Sequence, residues 1–226
     1  MHSGLELTKI FTPLIFCALP NTQVMLLRNL RSFCQRLAIW SALMWVCGWV
    51  VAMPVQSAVG EITLVIGQSD IDREAEQPTH AQKGRSIREG DIIKTSASGH
   101  VHIRFVDGAL VSVRPNSVFT VHEFKYNPAH PAASVVRLSL SKGEVRAISG
   151  AAAQAAKDKF RLNTPLVAIG VKGTDFVTQS GQDATRVTVN QGAIVMAPFD
   201  QGCSADALGV CVTSRARELT ADMAGM

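Results

Sequence analysis

Residues 90–117 read GDIIKTSASGHVHIRFVDGALVSVRPNS. Three runs within them, 91–95, 100–106 and 109–113, alternate apolar and polar side chains with a period of two and are rich in Ile and Val, the pattern of half-buried β-strands. Asp107-Gly108 separates the second run from the third, and the glycine supplies the positive φ that a tight hairpin demands. Arg114-Pro115-Asn116-Ser117 suits a type I turn with Pro at its second position. If both turns close hairpins, His102 falls opposite Val113 and His122 opposite Ala109.

The same rhythm extends in both directions. Further runs begin with EITLVIG at Glu61 and continue at 117–124, 134–140, 144–148, 159–164, 166–171, 175–180, 185–190 and 193–197, twelve short strands in all. Lys142-Gly143, Lys172-Gly173 and Gln191-Gly192 each sit between two runs and read as hairpin turns, which predicts an antiparallel meander. A polar loop at 72–89 and the alanine-rich GAAAQAAKDK at 150–159 interrupt it, the second with one or two helical turns. TSRARELTADMAGM at the C-terminus suits a short helix. The expected fold is all-β, hairpins coiled into a β-roll or short solenoid, with a β-sandwich as the alternative.

The N-terminal part has a different character. LAIWSALMWVCGWVVAM, residues 37–53, is seventeen residues without a charge and holds all three tryptophans. Lys9, Arg28, Arg31 and Arg36 precede it against Glu6 alone, and MPVQSA follows. Basic, apolar and small-residue regions in that order match a secretory signal, with the N-terminus in the cytoplasm. Seventeen apolar residues also just span a bilayer. A cleaved signal peptide and a retained inner-membrane anchor both fit, with this hydrophobic helix preceding the β domain. Met25 opens a more conventional signal than Met1 and is the expected start. The expected organisation is a leader at 1–36, the signal or anchor at 37–58, the β domain at 59–198 and a C-terminal extension at 199–226.

Beyond the leader the chain is almost neutral. Of 22 Lys and Arg and 18 Asp and Glu, four and one precede the apolar segment, leaving 18 against 17. Without a basic face, phosphate-backbone binding loses its electrostatic footprint, and no nucleic-acid partner is expected. Cys17, Cys34 and Cys47 lie in the leader, so Cys203 and Cys211 remain as a pair in an exported, oxidising body. They read as an internal disulfide stapling the loop SADALGV.

No catalytic or cofactor signature is present. GxSxG, HExxH, GxxxxGK[ST] and GxGxxG do not occur, and the body holds one Tyr, Tyr126, and no Trp. His100 and His102 share one strand face but gain no evident third ligand, and SDIDREAE at 69–76 lacks the Gly and bidentate Glu of a calcium loop. The expectation is a non-enzyme without cofactor or metal.

Three stretches together resemble the periplasmic FecR domain, the family named after the ferric citrate regulator. Residues 90–117 are similar to its Gly-Asp, strand, Asp-Gly, strand, Pro pattern through Asp107, Gly108 and Pro115. LSLSKGEVRA at 138–147 looks like its central hairpin. FRLNTPLVAIGVKGTDFVT at 160–178 is the most specific, through Thr164, Pro165, Gly173, Thr174 and Phe176. The resemblance implies an envelope signalling or protein-interaction module, working through β edges or loops on an envelope protein partner. The alternative is a structural or adhesive envelope protein. With at most 36 residues before the apolar segment, the family's cytoplasmic anti-sigma domain is not expected.

Overall fold

In β6 (His100–Phe105), Val101, Ile103 and Phe105 are buried while His100, His102 and Arg104 face outward, so the period-two pattern becomes one core face and one outer face. A computed structural model describes residues 57–74 and 76–223. The apolar segment at 37–53 and Met25 lie outside the described residues. The other strands are β1 (Gly60–Ile66), β2 (Ser69–Asp72), β3 (Thr79–His80), β4 (Ser86–Ile87), β5 (Ile92–Thr95), β7 (Leu110–Val113), β8 (Val118–Lys125) and β9 (Val135–Ile148). After helix α1 (Ala151–Ala155) come β10 (Phe160–Asn163), β11 (Val167–Val171), β12 (Asp175–Ser180), β13 (Thr185–Gln191), β14 (Ala193–Pro198) and β15 (Arg217–Thr220).

The strands form two sheets that share β9. The first runs β4-β1-β6-β7-β9-β12-β13. The second runs β3-β2-β5-β8-β9-β10-β11-β14-β15. Residues 135–142 of β9 pair in the second sheet and 143–148 in the first. Apolar side chains of both sheets, among them Ile62, Val113, Phe119, Leu140, Ile169 and Phe176, make one buried cluster. The fold is all-β, and a coiled path through two layers places it in the expected class.

The hairpin expectations separate into one that closes a hairpin and several that do something else. At Asp107-Gly108, Phe105 N–H donates to Ala109 O at 2.9 Å and Gly108 has φ 82°, a true β6–β7 hairpin. At Gly173 and Gly192 φ is 81°, as a turn requires, but the flanking strands lie in different sheets and do not pair. These glycines bend the chain from one layer to the other. Asn116, at φ 54°, does the same after Pro115, so β8 leaves β7 for the second sheet and His122 never meets Ala109. His102 pairs with Ser112, one position from the expected Val113.

Lys142-Gly143 is not a hairpin either. One 14-residue strand runs through it. Inward positions are even before the crossing (Val136, Leu138, Leu140) and odd after it (Val145, Ala147), because the bend at Gly143, φ 92°, rotates the strand as it changes sheets. Among the described strands the antiparallel pairing is broken once, since β9 and β10 run parallel, joined through α1 and a 3₁₀ turn at Lys157–Lys159. The polar loop at 72–89 contains β3 and β4, and the C-terminal run supplies an edge strand, β15, in place of a helix. Among the described residues no helix is long and apolar enough to cross a membrane.

The crossing depends on contact geometry as well as φ. Ser117 is buried beneath Gly143, and a Cβ there would stand 2.7 Å from Ser117 Cβ. At Gly173 the nearest atom to such a Cβ is Gln154 Cγ at 3.8 Å, so only the backbone resists. Gly173→Ala is expected to cost about 1–2 kcal/mol, the left-handed penalty alone. Gly143→Ala should cost more because the clash adds to it, and urea denaturation of the two variants checks the order.

Candidate functional site

Most residues of the sequence motif sit at turns, Asp107, Gly108, Thr164 and Pro165 in hairpins within one sheet and Pro115, Gly173 and Thr174 where the chain changes sheets, and their polar atoms are turned toward backbone. Asp107, buried at the β6–β7 hairpin, accepts from Ala109 N–H at 2.9 Å through Oδ1 and from Ala152 N–H at 3.2 Å through Oδ2. Its carbonyl accepts from Ala151 N–H at 3.0 Å, so one residue holds the start of α1 from 45 positions away. Gly150 passes against this carboxylate, where a Cβ would come 2.5 Å from Asp107 Cγ. Next to it Ser149 and Thr174 bind reciprocally: Ser149 N–H donates to Thr174 O at 2.9 Å, and Thr174 N–H donates to Ser149 Oγ at 3.1 Å. Phe176 is fully buried below them.

Thr164 and Pro165 close the β10–β11 hairpin in a tight turn. Thr164 N–H donates to Val167 O at 2.9 Å, and Thr164 Oγ1 accepts from Val167 N–H at 3.1 Å. Thr164 Oγ1 also meets Thr185 Oγ1 at 2.9 Å, tying this turn to the start of β13. Pro115 lies in the corner where Thr95 Oγ1 donates to Arg114 O at 2.6 Å and accepts from Ser117 N–H at 2.9 Å.

Sequence reasoning missed an ion pair between Arg73, in the segment read as a polar loop, and the buried Asp91. Asp91 has no exposed surface and receives Arg73 in two bonds, Nε to Oδ1 at 2.6 Å and Nη2 to Oδ2 at 3.0 Å. The hydrogen bond that Arg73 donates to Asp91 raises the Arg73 pKa. The Gly90-Asp91 pair was visible in the motif; its partner, eighteen residues upstream, carried no local signal.

The outer face of the first sheet carries the exposed chemistry. Arg146 grips Asp175 with Nε to Oδ1 at 2.9 Å and Nη2 to Oδ2 at 2.6 Å, which holds the Asp175 carboxyl below the ordinary range. His100 and His102 place their Nε2 atoms 3.1 Å apart. Burial, then the charges of His102 and Arg114, lower the His100 pKa. On the second sheet His122 Nε2 meets Ser139 Oγ at 2.9 Å, and burial followed by Arg137 lowers its pKa. Among the described residues no group of His, Cys, Asp or Glu could hold a metal ion.

Cys203 and Cys211 form a disulfide with Cα atoms 5.3 Å apart. Their loop lies across the outer face of β10, β11 and β14, where Ala168 and Ala197 pack against the two cysteines. Asn163 Nδ2 donates to Ala205 O at 2.7 Å and Arg161 Nη2 to Leu208 O at 3.3 Å, so the loop accounts for the burial of Arg161 and Asn163, while Phe160 and Leu162 are buried in the core.

Two outcomes are expected. Asp107→Ala should cost about 2 kcal/mol in urea denaturation, since it removes a helix cap and leaves buried N–H groups without acceptors. For His100 and His122 the folded pKa lies below the unfolded value of ~6.5. The unfolded chain therefore binds protons first, and the stability these groups contribute is complete above that value and lost as pH falls. The urea midpoint should drop between pH 7 and pH 5, less steeply in a His100→Gln, His122→Gln double variant.

No curated protein matches this chain. Two crystal structures of a "putative anti-sigma factor" from Parabacteroides distasonis ATCC 8503 are similar to it at 14% and 16% identity, with TM-scores of 0.38 and 0.39. Each match covers 57% of this chain and 50% of the other, so the chain spans about half the length of the solved structures it matches. The family model described as FecR protein matches residues 91–195, from the buried Asp91 through the β9 crossing to β14. Over residues 91–195 this chain is similar to the FecR family, as its sequence motifs implied.

Proposed function

We propose that this chain is an exported, non-catalytic module of the bacterial envelope that takes part in signal transduction by binding a partner protein through the open edge of β13. The observation that carries this reading is the contrast among sheet edges. β3 and β4 are two residues each, and β15 is four, with charged Arg217 and Glu218. Short or charged edges resist pairing. β13 is seven residues, TRVTVNQ, without proline, and among the described strands it pairs only with β12.

Hydrogen-bond alternation identifies the groups on offer. Gly181 N–H donates to Ala184 O at 3.0 Å to close the β12–β13 hairpin. Counting from that bonded pair, Thr185, Val187 and Val189 direct their N–H and C=O groups away from β12. Val187 and Val189 pack partly against the core, so an added strand would continue an apolar layer on one side and lie beside Arg186 and Thr188 on the other.

Export is supported by the basic residues preceding the uncharged segment at 37–53 and by the disulfide, which suits an oxidising compartment. The domain sits in the periplasm, free after cleavage or held at the inner membrane by residues 37–53. Asp107, Gly108, Pro115, Thr164, Pro165, Gly173, Thr174 and Phe176 serve the scaffold that presents the edge.

Val187→Pro removes one outward N–H at an exposed edge, where proline is tolerated. In a pull-down from periplasmic extract, the wild-type domain should recover a partner that the variant loses, with the melting temperatures within a few degrees. No partner above background, or equal recovery by the variant, would reject the reading.

A further inference from the structure

Arg161 sits in the middle of β10 with no exposed surface. Alternation turns Phe160 and Leu162 to the core and Arg161 to the outer side, where the disulfide loop covers it. Its Nη1 donates to Cys211 Sγ at 3.2 Å and lies 3.8 Å from Cys203 Sγ, its Nη2 bonds Leu208 O, and its Nε has no partner. No described carboxylate forms an ion pair with it. Burial alone pushes its pKa down, with no neighbouring charge to oppose the shift. A buried guanidinium without a counter-ion is costly. The groups its bonds reach that can become anionic are the two sulfurs.

We propose that Cys203–Cys211 is a thiol–disulfide exchange site, with Arg161 positioned to hold the thiolate released on Cys211. This inference is independent of the β13 reading. The co-reactant is a dithiol, either a small molecule or an oxidoreductase. Cys203 is itself buried, at 3% exposure, between exposed Gly202 and Ser204, so a reductant reaches its Sγ from that side when the loop opens locally. The dithiol's thiolate attacks Cys203 Sγ and forms a mixed disulfide, and the electron pair of the broken bond stays on Cys211 Sγ beside the guanidinium. The second thiol of the reductant attacks the mixed disulfide, loses its proton and leaves Cys203 Sγ to be protonated. The reductant departs as a disulfide, and the protein has gained two electrons.

Burial raises a thiol pKa and an adjacent arginine lowers it; here the arginine donates directly to the sulfur. A leaving thiolate stabilised in this way makes a disulfide easier to reduce. Reduction would also free the loop from its covalent closure, leaving the Asn163, Arg161 and Arg137 contacts to hold it over β10.

Equilibration of the mature chain with mixtures of reduced and oxidised glutathione, followed by alkylation and mass spectrometry, tests the proposal. Arg161→Met should shift the equilibrium at least tenfold toward the disulfide, with Arg161→Lys in between. A change under twofold would overturn the proposal and leave the bond an inert staple. Because Arg161→Met could fail to fold, a second measurement stands apart from it. In a Cys203→Ser variant, which keeps Arg161, the pH profile of Cys211 alkylation by iodoacetamide should have its midpoint at least one unit below the ordinary thiol value of ~8.5. Any smaller displacement would reject the role assigned to the guanidinium.

Discussion

Ser117 lies buried against the backbone of Gly143, its Oγ accepting from Glu144 N–H at 2.9 Å, and the route of the chain between layers depends on that contact. Because no side chain stands between them, β9 can pass over the corner that follows β7 and continue from the second sheet into the first. The inward parity changes as it crosses, which keeps Leu140 and Val145 in the same core despite their odd separation. Were the crossing blocked, each half of β9 would need its own partners and the sheets would not share a core.

The polar residues of the FecR motif are occupied in a common way. Asp107 receives backbone N–H groups of the hairpin and α1, Thr164 receives those of its own turn, and Asp91 receives Arg88 N–H at 2.9 Å besides Arg73. Each satisfies donors that a turn would leave stranded in a dry interior. A motif whose oxygens are committed to backbone fixes where the layers meet, and leaves the outer faces, the loop over β10 and the β13 edge free to differ in chemistry.

Legibility in the sequence followed the range of the interaction. Strand positions were readable because alternation is local: β6, β12 and β13 fall where the pattern puts them. So was the positive φ at Gly108, Gly143, Gly173 and Gly192. What a positive φ accomplishes was not readable, since a hairpin and a change of sheet use the same backbone conformation and differ only in which strand waits beyond. Arg161 and Asn163 alternate outward and would be solvated on any local reading; the cover arrives from residues 203–211, more than forty positions later. The His102 partner missed by one place because the β6–β7 hairpin pairs Arg104 with Leu110, and that register propagates along the ladder.

β9 has four strand partners: β7, β8, β10 and β12. The strands before it complete neither sheet, since β1, β6 and β7 form one fragment and β2, β5 and β8 another, with no ladder between them. Those after it have nothing to dock on until it is in place. Assembly is therefore governed by sequence-distant contacts and belongs to the slow, high-contact-order regime. Unfolding should be all-or-none, with no half-domain able to survive alone. A chain released before residue 148 would expose two unfinished sheets at once, so the protein's vulnerability to aggregation is greatest during synthesis and ends when that single strand is complete.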